Sequence, residues 1–138
     1  MALVVAQKMA SDLGVGTALQ MDSAGTHAPV PAQRTDPRAI ATLERRGYSA
    51  KRIRSNRITV TQIANCDLVL AMDNQNLAAL HKICPAEHTH KLRLLLSFSP
   101  DCGRTEVPDP YHSNAQAFEL VLDLCESATR AMLRRYTL

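Results

Sequence analysis

The sequence predicts an α/β fold in three layers, with helices on both faces of a small parallel sheet. Three observations carry this. The run Asp67-Leu-Val-Leu-Ala-Met72 is continuously apolar between its aspartate and its methionine end, as in a strand buried on both faces. Strand-like stretches alternate with stretches whose apolar residues recur at helical spacing, the pattern of parallel strands joined by crossover helices. The chain has 138 residues, 46% of them hydrophobic. That is enough for one buried core, so one domain over 1–138 is expected.

Each element has its own local signals. Residues 1–13 read as a helix, with Ala2, Val5, Met9 and Leu13 at helical spacing and Gly14 and Gly16 to end it. Residues 18–23, Ala-Leu-Gln-Met-Asp-Ser, are a short strand candidate, followed by Ala24-Gly25-Thr26. Residues 27–37 contain three prolines and read as a loop. Asp36-Pro37 starts a helix that runs to about Arg46, with Gly47 as the stop. Thr61 to Asn65 is a helical turn, and 67–72 is the strand already described. Asp73 caps the next helix, which turns Leu77 and Leu80 inward and ends near Cys84-Pro85. Lys91 to Phe98 is a strand carrying Leu92, Leu94, Leu95 and Leu96. Pro100 to Tyr111 is a loop. A long helix from Asn114 to about Arg135 turns Phe118, Val121, Leu122, Cys125, Ala128 and Leu133 inward. This makes three strands in a chain that opens on a helix. Small doubly wound domains usually open on a strand, because the first strand-to-helix turn builds their crevice.

Composition narrows the function. Sixteen basic against thirteen acidic residues give a net charge of +3. That balance suits a small anionic ligand and gives no basic stripe for nucleic acid. The densest basic stretch, Arg45 to Arg57, mixes charge with polar and apolar residues and reads as solvated surface. No apolar run reaches membrane-span length, and no signal peptide is visible. Cys66, Cys84, Cys102 and Cys125 are scattered, without a Cys-x-x-Cys pair or clustered histidines. Reduced thiols in the cytoplasm are expected, with no metal site and no cofactor.

The sharpest local sequence is Val107-Pro108-Asp109-Pro110-Tyr111. Two prolines hold a carboxylate on a stiff backbone, as a general acid requires, and the adjacent tyrosine can stack on an aromatic ring. The same residues also read as a structural turn, since Asp-Pro is a common turn and helix-start pair.

The order of motifs adds to this reading. The chain runs Asp22-Ser-Ala-Gly-Thr26, Asp36-Pro-Arg-Ala39, Arg46-Gly-Tyr48, Asp67-Leu-Val-Leu-Ala-Met-Asp73, Asn76-Leu77, Cys84-Pro85 and Val107-Pro-Asp-Pro-Tyr111. This series resembles the low-molecular-weight protein tyrosine phosphatases from Met1 to the final helix. The resemblance implies hydrolysis of phosphotyrosine on proteins, or of small aryl phosphates, through a cysteinyl-phosphate. In that family a Cys-x5-Arg loop supplies the thiolate and grips the phosphate. By the resemblance Asp109 is the general acid, Tyr111 and His112 are substrate-binding, and Ser23 supports the phosphate loop. His112 stands where the family often has a second tyrosine. The segment from Thr26 to Gln33 matches the substrate-side wall, without the aromatic common there.

No Cys-x5-Arg occurs in these residues. The positions six after the four cysteines are Met72, His90, Pro108 and Ala131. Met1-Ala2 matches the Met-Ala that often follows the family's loop. The resemblance therefore implies a chain truncated at its N-terminus, without the loop or the inner first strand of a four-stranded sheet. It is expected to be inactive alone, and poorly folded or self-associating, because an unpaired inner edge costs several hydrogen bonds. Two other readings stand beside this one. A phosphatase-like binding or regulatory module would need no nucleophile. An arsenate reductase on the same fold would need a closely spaced cysteine pair, which the chain lacks.

Overall fold

A computed structural model describes residues 1–27, 35–50 and 56–137 of the chain. The first helix, α1 (Ala2–Asp12), ends through Leu13 at Gly14, whose φ of +75° suits a residue without a side chain. The next, α2 (Pro37–Arg45), has proline in its first turn and Asp36 as its cap, Oδ1 accepting from the Arg38 amide at 2.9 Å. A short helix, α3 (Val60–Asn65), opens on a capping box. The Thr59 hydroxyl accepts from the Gln62 amide, and the Gln62 side chain accepts from the Thr59 amide. Strand β1 (Val69–Ala71) then leads to α4 (Asn74–Ile83), where Asp73 Oδ1 accepts from the Asn76 amide at 2.7 Å. After a 3₁₀ turn at Ala86–Lys91 come β2 (Leu92–Leu94) and two further 3₁₀ turns, Leu95–Phe98 and Pro100–Cys102. The chain closes on α5 (Ala115–Thr137).

The two strands pair in parallel, Val69 opposite Leu92 and Ala71 opposite Leu94, with α4 as the crossover. Alternate residues of β1 face different cores, as the period of two requires. Leu70 and Met72 pack on a cluster built from Val5, Leu43, Leu96, Leu122 and Ala128, where α1 and α2 lie against α5. Ala71 and Val69 join a second cluster with Ile63, Leu80 and Leu92, beneath α3 and α4. The expected three layers follow from this, with the sheet between two helical sides. All six residues expected to face inward from α5 are buried.

Arg46 locks α2 to α5. Its guanidinium lies 2.8 Å from Glu119, 2.6 Å from Asp123 and 3.3 Å from Glu126. Burial works against its charge, but the hydrogen bonds to Asp123 and Glu119 outweigh this and raise its pKa.

Several expectations are corrected. Residues 18–23 form no strand. A strand exists only through its ladder, and no partner lies beside these residues among those described. The pairing nearby is a single parallel bridge, Gly25 to Arg57, made by Gly25 N–H to Asn56 O and Ile58 N–H to Gly25 O. The expected strand over 91–98 stops at Leu94, because a 3₁₀ turn buries Leu95, Leu96 and Phe98 together, which strict alternation would prevent. The helix expected over 1–13 ends at Asp12, and Leu13 stands exposed in its cap. Cys66 is exposed where α3 ends. Of the proline loop, the substrate-side wall and the basic stretch, residues 28–34 and 51–55 lie outside the described residues.

Candidate active site

The loop bearing Asp109 is tied down on both sides. Upstream, the Val107 amide donates to Met72 O at 2.8 Å, which anchors the loop to the end of β1, and Val107 is buried. Glu106 Oε1 accepts from the Asn74 amide at 2.7 Å and joins the loop to the first turn of α4. Proline on either side of Asp109 removes two backbone freedoms. The Asp109 carboxylate then folds back on its own chain, Oδ1 accepting from the Tyr111 amide at 3.0 Å, as in an Asx turn. Asp109 is exposed and faces a cleft of about 610 Å³, lined also by Asp73, Gln75, Arg104, Glu106 and Pro108. The cleft opens beyond the carboxyl end of β1, where ligands bind in open α/β sheets.

Downstream, Tyr111 is exposed and its ring meets His112 edge-on at 4.8 Å. Arg38, in the first turn of α2, donates from Nη2 to Tyr111 O at 2.7 Å and from Nη1 to Ser113 O at 3.2 Å. Its other donors meet Asp36, Nε to Oδ1 at 3.2 Å and Nη2 to Oδ2 at 2.9 Å. The hydrogen bonds from Arg38 hold the Asp36 carboxyl below its usual range, and the same partner raises the guanidinium.

Asp109, Tyr111 and His112 are therefore together on one loop. Ser23 is not with them. It is half-buried and lines a second, apolar cavity of about 200 Å³ with Met1, Ala2, Leu3 and Met72. The two cavities share no lining residue, but they meet in sequence at Met72-Asp73, just after β1. A second tie near the site joins Asn76 Nδ2 to Thr26 Oγ1 at 3.1 Å. None of the four cysteines lines the cleft.

This geometry can be set beside known proteins. A family model described as low molecular weight phosphotyrosine protein phosphatase matches residues 1–137. The chain belongs to the low-molecular-weight phosphotyrosine protein phosphatase family. A low molecular weight protein-tyrosine-phosphatase of Streptomyces coelicolor is 34% identical over 136 residues, covering 96% of this chain and 82% of that protein. The human low molecular weight phosphotyrosine protein phosphatase is 29% identical, covering 95% of this chain and 83% of its own. A crystal structure of a protein tyrosine phosphatase from Entamoeba histolytica superposes with a TM-score of 0.93 at 29% identity, covering 97% of this chain and 85% of that one. A low molecular weight phosphotyrosine phosphatase from Vibrio cholerae gives 0.89 at 31%, with 98% and 86% covered. The mixed fold with its small parallel sheet is thus the phosphatase family's α/β fold.

Sequence reasoning gave no role to Arg38, Glu106 or Asn76. Arg38 stood inside the Asp-Pro-Arg motif, and an aspartate capping a helix two residues before an arginine was the available signal. Nothing local marked its contact with Tyr111.

Proposed function

We propose that this phosphatase-family chain carries the acid and aromatic side of a phosphotyrosine site. The observation that supports it most is the double anchoring of the Asp109 loop, by Val107 to β1 and by Tyr111 to Arg38. In this reading the tyrosyl ring of a phosphoprotein, or a small aryl phosphate, lies against Tyr111 and His112. A cysteine thiolate attacks phosphorus and the bond to the phenol oxygen breaks. Asp109 gives its proton to the departing oxygen, then takes one from the water that hydrolyses the phosphocysteine. The residues show no cysteine with an arginine six positions on, so the attacking thiolate is not assigned to any of the four. Ser23 hydrogen-bonds the phosphate-binding loop in this reading.

The test has two parts. NMR titration with phosphotyrosine should shift the resonances of residues 107–112. Turnover of an aryl phosphate that disappears in Asp109→Ala supports the catalytic reading. Binding at the loop with no turnover supports the binding-module reading. Shifts confined to other surfaces would sink both.

The chain is further proposed to be one domain over 1–138, to act in the cytoplasm and to self-associate through the edge of its short sheet. The two strands described support the last point, since each leaves one edge without a strand partner among the described residues. Among those residues no helix is long and apolar enough to cross a membrane.

A further inference from the structure

We infer that Arg38 is a positioning residue for Asp109, acting through the peptide units of Tyr111. The inference rests on the reading of Asp109 as the general acid. Arg38 holds the carbonyl of Tyr111 at 2.7 Å, while Asp109 Oδ1 holds the amide of the same residue at 3.0 Å. Tyr111 is thus gripped from both ends, and the carboxylate is fixed relative to the guanidinium without touching it. The guanidinium is itself fixed. Its fork to Asp36 ties it to the cap of α2, and its Cζ lies 4.8 Å from the centre of the Phe118 ring at the start of α5. It lies 5.8 Å from the Tyr111 ring on the way.

An arginine that served as a surface ion pair would need Asp36 alone. This one spends two of its four side-chain hydrogen bonds on the carbonyls of Tyr111 and Ser113, more than seventy positions away. A planar fork with five N–H donors on three nitrogens can make these four bonds, two of them to one carboxylate; an ammonium has three donors on a single nitrogen. The arrangement joins the first turns of α2 and α5 across the acid loop. It holds the proton donor in place before any substrate arrives, and proton transfer depends on such placement before pKa.

The experiment uses the 138-residue chain and needs no turnover. Two signals are followed by NMR, hydrogen exchange at the Tyr111 amide and the carboxyl carbon resonance of Asp109. In Arg38→Ala, exchange at Tyr111 is expected to rise about tenfold or more, the scale of one charge-assisted hydrogen bond. The Asp109 resonance is expected to move, although Arg38 does not contact it. Amides of Leu122 and Ala128 in α5 should stay protected, which reports an intact core. Unchanged Tyr111 exchange and an unmoved Asp109 resonance would overturn the inference. Should Arg38→Ala lose the core protection, Arg38→Lys keeps charge and stem; there a moved Asp109 resonance supports the fork and an unmoved one overturns it. Aryl-phosphate turnover that survives Asp109→Ala would instead sink the acid assignment and leave the coupling of Arg38 to Asp109 standing.

Discussion

The phenol of Tyr48 donates to Glu126 Oε1 at 2.7 Å, joining the residues after α2 to the middle of α5. Burial pushes its pKa up to about 12, and the hydrogen bond to Glu126 acts in the same direction. A phenol in the unfolded chain ionises near 10. Between these values the unfolded chain releases a proton that the folded protein keeps. The contribution to stability is therefore whole below about 10 and is lost as pH rises toward about 12. Denaturant midpoints measured from pH 9 to 12 should fall more steeply in the unmutated protein than in Tyr48→Phe. Equal slopes would remove Tyr48 from the account.

Leu122 is fully buried on α5, in the cluster that also takes in Val5 of α1 and Leu43 of α2. Leu122→Ala should cost about 2–5 kcal/mol, the usual range for a cavity that neighbours fill only in part. Urea unfolding followed by circular dichroism measures this. A loss well under 1 kcal/mol would mean that α1 or α2 collapses into the space.

The four thiols should differ sharply in reactivity. Cys66 is exposed, Cys84 and Cys102 are half-buried, and Cys125 is buried in the main core. Burial raises the Cys125 thiol to about 11, so little thiolate forms there at neutral pH. A chromogenic disulfide reagent at pH 8 should modify Cys66 first and Cys125 only on unfolding. Fast labelling of Cys125 in the native protein would contradict the packing of α1 on α5.

Asp73 both caps α4 and lines the cleft. Asp73→Ala should cost about 1 kcal/mol through the lost cap, while Asp73→Asn or Asp73→Ser should keep most of it. Thermal melts of the three variants check the order. Three equal midpoints would show that Glu106, bonded to the neighbouring Asn74 amide, suffices for the first turn of α4.

What the sequence made legible depended on range. The caps at Asp36 and Asp73 and the stop at Gly47 were readable because each acts within one helical turn. The inward face of α5 was readable from its period alone. Residues 18–23 misled, because their apolar and polar residues suit a strand while the ladder that makes a strand depends on what lies alongside. Lys91 to Phe98 misled in part, since a 3₁₀ turn buries consecutive leucines that a strand would divide between two faces. In the site, the two prolines around Asp109 advertised a stiff loop. The clamp on that loop was not legible, because it comes from a helix far away in the chain.

That distance has a kinetic meaning. The bond from Arg38 to Tyr111 closes a loop of 73 positions, whereas the caps and helical turns close loops of two to four. Closing long loops costs entropy that local contacts do not face, and such contacts slow the search for the native state. Helices α4 and α5 can form early on their own signals, while the Asp109 loop waits for α2 to dock. In refolding followed by pulsed hydrogen exchange, the Tyr111 amide should gain protection after the amides of α5. Protection of Tyr111 ahead of α5 would reverse that order and make the loop a nucleus rather than a latecomer.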